Sequence, residues 1–168
     1  MTILPRRYTA ALLTLLALLP LATAQSRDPA LNDWFLRITD WEYRYKAAYD
    51  RLYLQYGMQG RAPGAEGVDE DVREELLRVS REATALTLEG DELRRAVPPD
   101  MIIGSRLHVA RQRIIQVAID GLRSATHLVI GVQLGELTRR ELIMMHTTIT
   151  QSFEIRDLWG HLYLLYLD

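Results

Sequence analysis

Between Pro29 and Tyr56, apolar side chains return at alternating steps of three and four residues: Leu31, Trp34, Ile38, Trp41, Tyr45, Ala48 and Leu52. That spacing lines one face of a helix and no face of a strand, where neighbouring side chains point to opposite sides. Pro29 suits an opening turn, since the N–H it lacks would have no partner there, and Asp28 is a candidate cap. A helix with one apolar stripe must bury it against something. The fold therefore depends on whether the rest of the chain supplies matching helices.

It supplies three. A second segment begins near Asp69, where Asp69, Glu70 and Asp71 suit the positive end of a helix dipole, and runs through Val72, Leu76, Val79, Ala83, Leu86 and Leu93 to Val97. Gly90 is a candidate kink in it. Pro98 and Pro99 end it, and Asp100 is the expected cap of a third helix carrying Leu107, Ile114, Ala118, Leu122, Ala125, Val129 and Val132, closed by Gly135. Thr138 followed by Glu141 reads as a capping box for a fourth, which continues through Leu142, Ile149, Phe153, Gly160 and Leu164. Residues 57–67, with four glycines and a proline, are the clear loop. No strand pattern competes, so the expected fold is all-α, an up-down-up-down four-helix bundle.

Ahead of the first helix stand Arg6 and Arg7, an uncharged run from Ala10 to Leu19, Pro20, and small residues at Ala22 and Ala24. This is the layout of a signal peptide cut after Ala24, leaving residues 25–168 as one domain. The run is shorter than the ~20 residues that span a bilayer, and nothing after Gln25 approaches that length. The expected location is outside the inner membrane, periplasmic or extracellular. The chain has no cysteine, which excludes a lipid-anchored lipoprotein, disulfides and covalently attached haem. Losing Arg6 and Arg7 takes the formal charge from -2 to -4, a poor basis for binding nucleic acid.

Chemistry-bearing motifs are sparse. Carboxylate-bridged metal pairs in bundles use Glu-x-x-His, which does not occur; the nearest approach is Asp157 with His161. Met144, Met145 and His146 are adjacent and fan out around a helix, so they do not converge on one ion. Ser124 and His127 fall on the polar face of the third helix with Arg113, Asp120 and Arg123. No catalytic residue, metal or cofactor is expected, and the chain reads as something other than an enzyme.

Two features break the pattern. Glu42, Arg111 and Arg156 fall inside the apolar arcs of their helices, where unpaired charge is rare. Counted along the expected helices they share one layer, with two guanidinium groups around one carboxylate and Asp157 at the edge. Such a layer is either a structural ion network or a site for a small anion. The second feature is a further apolar stripe, Leu36, Tyr43, Ala47 and Leu54, opposite the core face of the first helix, with Leu158, Leu162 and Leu165 near the end of the fourth. Apolar residues on an outer face imply a cover. The expected function is contact with protein, either a second copy or an envelope partner; the alternative is a small-ligand binder built on Glu42, Arg111 and Arg156.

Overall fold

The computed structural model describes residues 28–56 and 67–167. The expected leader and its cleavage site lie outside the described residues, as does most of the glycine-rich linker. Four helices fill the described chain: α1 (Pro29–Tyr56), α2 (Glu70–Arg95), α3 (Arg106–Leu134) and α4 (Arg139–Leu165). No β-strand is found among the described residues.

Consecutive helices run antiparallel, as the cross-helix partners show. Arg37 pairs with Glu89, Arg44 with Glu82 and Arg51 with Asp71, one number rising as the other falls. Between α2 and α3, Arg123 reaches Asp91 while Arg94 reaches Gln116. Gly121 of α3 faces Phe153 of α4, and Gly131 of α3 faces Leu137 in the short connection that leads into α4. The first and last helices also meet, through Trp41 on Phe153 and Tyr45 on His146.

The expected apolar face of α1 is the buried one: Leu31, Trp34, Ile38, Trp41, Tyr45, Ala48, Tyr49 and Leu52 all lie in the core. Both buried indoles find acceptors in α2, Trp34 Nε1 donating to the Leu86 carbonyl at 2.8 Å and Trp41 Nε1 to that of Val79 at 2.7 Å. Burying an indole without such a partner would leave its N–H costly and unsatisfied. Gly90 does not break α2. It makes room for Trp34, because a Cβ there would stand 2.5 Å from the indole ring.

The third helix starts later than its sequence implies. Ser105, not Asp100, is its cap, with Oγ accepting from the His108 N–H. Residues 98–105 form two tight turns, Met101 N–H to the Pro98 carbonyl and Ser105 N–H to that of Ile102, and Gly104 adopts φ 84°. Met101 reaches the core from this loop. The other ends follow expectation: Asp28 caps α1, Gly135 closes α3 in the left-handed region, and Thr138 with Glu141 forms the capping box of α4.

Candidate functional site

The three charged residues that sequence spacing puts in one layer fall into two separate places. Arg111 lies at the end of the bundle where α1 begins. It is 1% exposed, and its Nε donates to Asp28 Oδ2 at 2.7 Å. Its Nη1 donates to the Leu93 carbonyl, also at 2.7 Å, satisfying one of the last carbonyls of α2. Asp28 meanwhile accepts the Leu31 N–H on its other oxygen, 3.0 Å away, so one carboxylate caps α1 and holds α3. Arg111 thus ties the start of α1, the end of α2 and the start of α3.

Arg156 is buried between α4 and α1, its guanidinium carbon 4.6 Å from the Phe35 ring centre and 5.0 Å from that of Phe153. Nη2 donates to Glu42 at 3.1 Å, and Nε and Nη2 donate to Asp157 at 2.9 and 2.7 Å. Its Nη1 makes no hydrogen bond to any described residue. Burial pushes the Glu42 carboxyl above the ordinary carboxylate range, against the pull of Arg156.

The single layer is therefore corrected, and the cause is axial. Trp34 and Ile119 both meet Gly90, which fixes their common level. Arg111 is eight residues before Ile119 and Glu42 eight residues after Trp34 on parallel helices, so roughly 24 Å of axial rise separates them. Starting α3 at Asp100 instead of Arg106 accounts for about 9 Å of this, and the rest is an axial offset between α1 and α3 that counting from helix ends ignores. With the single layer goes the charge argument for an anion: neither arginine is in excess, since Arg111 has Asp28, and Arg156 has two carboxylates.

The other polar groups singled out in the sequence make contacts within the bundle. His146 is half-buried, stacked on Tyr49 with ring centres 3.6 Å apart, its Nδ1 3.1 Å from the Tyr45 hydroxyl. Burial lowers its pKa. Met145 packs on the core and Met144 faces solvent, as their positions on the helix imply. His161 Nδ1 meets the backbone carbonyl of Asp157, whose carboxylate is taken by Arg156. Ser124 Oγ donates to the Asp120 carbonyl, and His127 is exposed. Among the described residues no cluster of three His, Cys, Asp or Glu could hold a metal ion, and no helix is long and apolar enough to cross a membrane.

The outer stripe is exposed. Leu36, Tyr43 and Leu54 are 53%, 72% and 80% accessible, and Ala47 faces solvent between them. On α4, Leu158 and Leu165 are exposed and Leu162 is half-buried. Beside Leu36 a groove of about 550 Å³ opens between α1 and α2, with Leu36, Ala85 and Leu86 as its apolar part and Arg37 and Arg44 at its sides. Sequence reasoning missed this groove, because it is made by two helices together. It also missed Ile102 and Ile103, exposed on the loop before α3, since they stood in a supposed first helical turn. No protein-family model, curated protein or solved structure matches the chain.

Proposed function

We propose that this is an exported helical-bundle protein that works by binding other protein, with the outer face of α1 and the exposed end of α4 as its contact surfaces, and without catalysis. The observation that carries the reading is the exposure of Leu36, Tyr43 and Leu54 along one line of α1, with Leu158 and Leu165 on α4. Large apolar side chains in a row keep an unfavourable interface with water that a partner removes, at about 25 cal/mol per Å² covered. The arrangement of the leader, basic then apolar then small, supports export to the periplasm or the medium. The buried ionic groups support the absence of a reaction site, since each has an evident structural partner.

Two measurements on the protein recovered from its producing cell test this. N-terminal sequencing should give Gln25; a start at Met1 overturns the export reading. After cross-linking of the intact envelope, the chain should appear in an assembly heavier than itself. Changing Leu36, Leu54, Leu158 and Leu165 together to Glu should abolish that assembly while the helical circular dichroism is retained. A chain found only as a monomer, with or without these changes, overturns the contact reading.

A further inference from the structure

The exposed line on α1 reads almost the same in both directions. From its N-terminal end it runs Leu36, Asp40, Tyr43, Ala47, Asp50, Leu54, with steps of four, three, four, three and four residues, and all six face solvent. Only the central two differ under reversal, and they differ in size. A stripe with this symmetry is complementary to itself when turned end over end, as a two-fold interface requires, because each residue meets its counterpart on the other copy.

We propose that the protein forms a homodimer in which α1 packs antiparallel on α1 of a second copy, about a two-fold axis level with Tyr45. This rests on the contact reading above and names its partner as another copy of the same chain. Opposing the stripes sets Leu36 against Leu54 at both ends, and at the centre seats each Tyr43 on the small Ala47 of the other copy. A large side chain over a small one is how facing helices fill the space between them. The two aspartates lie on opposite flanks of the stripe at 100° per residue, so Asp40 of one copy does not face Asp50 of the other. Asp40 comes level instead with Arg51 of the second copy, an opposite charge on the same flank; Asp40 also holds Arg44 and Arg51 also holds Asp71 within their own chains, so this approach, which symmetry provides twice, extends existing pairs. Arg44 would meet Arg44 of the other copy near the axis, but each is already held by Asp40 and Glu82 within its own chain.

The groove, which shares Leu36 and Asp40 with the stripe, supplies a second observation. It lies on the α2 side of Leu36, at the level where the two-fold brings Leu54 of the second copy. Leu54 is more exposed than Leu36 or Tyr43, and the groove offers apolar surface at Leu36, Ala85 and Leu86. A protruding leucine and a recess whose apolar patch is framed by the Arg37–Glu89 and Arg44–Glu82 pairs thus come level under the same operation that matches the stripes. The contact runs from Leu36 to Leu54 on each helix, a rise of about 27 Å, a small interface, and the expected dimer is of micromolar strength.

Because the chain contains no cysteine, single introduced thiols report the register without background. Leu36→Cys and Leu54→Cys are each purified, mixed and oxidised gently, while the wild type is followed by sedimentation equilibrium. The expected results are a concentration-dependent dimer and a disulfide joining position 36 to position 54, with little 36–36 or 54–54 product from either variant alone. Ala47→Glu, at an exposed position, should weaken the dimer roughly tenfold or more without altering helicity. Three results overturn the inference: a dimer linked 36–36 and 54–54, a dimer indifferent to Ala47→Glu, or a monomer at high micromolar concentration. If the pure protein is a monomer yet the cross-linked envelope still holds a heavier assembly, the contact reading survives with a different partner. If both are monomeric, the two fall together.

Discussion

Asp28 is the side chain on which most depends, because its two oxygens serve two helices at once. Asp28→Asn keeps a capping oxygen for the Leu31 N–H and removes only the charge facing the buried Arg111. Leaving a guanidinium uncompensated in the interior costs about 3 kcal/mol. Glu42→Gln should cost far less, about 1 kcal/mol or under, because the Glu42 side chain is 33% exposed and Asp157 stays on Arg156. Urea unfolding of the two variants side by side checks this order; equal midpoints would mean that Arg111 finds another partner. His146 makes a pH prediction. Its pKa is lowered on folding, so the unfolded chain binds the proton more readily, and stability present above pH 6.5 is lost as the pH falls below it. Glu42, whose pKa is raised, acts in the opposite direction, its contribution complete below pH 4.5 and lost as the pH rises through its folded value. His146→Gln should therefore flatten the fall in melting temperature between pH 7 and 5, and a wild-type curve already flat there would remove His146 as a cause. Which arginines are buried is legible in the sequence, since both interrupt apolar arcs. Their partners are not, because Asp28 reads as a cap and nothing local announces its second oxygen.

At the scale of elements, the helices that were legible are those whose ends carry local chemistry. Pro29 behind Asp28, Gly135, and Thr138 with Glu141 each mark a terminus through groups within one turn, and the structure places the termini there. The start of α3 was not legible, because Asp100 and Ser105 are both good caps and the turns at residues 98–105 are decided by Met101 reaching the core. The choice is testable. Ser105→Ala removes the acceptor for the His108 N–H and should cost about 1 kcal/mol, whereas Asp100→Ala, at an exposed loop position, should leave the thermal midpoint unchanged. A larger loss from Asp100→Ala would return the start of α3 to the position the sequence implies. Helix pairing was legible only as far as order, and the groove between α1 and α2 depends on an axial offset that periodicity does not carry.

Across the whole molecule, the core is continuous from Leu31 on α1 to Tyr163 on α4, with no polar layer dividing it. Such a core should melt as one unit. Trp34 and Trp41 are fully buried in the first half of α1 and Trp159 of α4 packs against the same core, so tryptophan fluorescence and far-ultraviolet circular dichroism should give superimposable urea curves. Separated curves would show that part of the bundle opens alone. The tie between Asp28 and Arg111 spans 83 positions of chain and involves the first residue of the described bundle. A chain emerging N-terminus first presents α1 long before α3 exists to meet it. During that interval the local cap can form, but the carboxylate has no guanidinium, and the aromatic face of α1 has no α4 to lie against. The earliest helix made is thus among the last to be secured, and through that wait Trp34, Trp41 and Tyr45 stand open to whatever holds an unfinished chain.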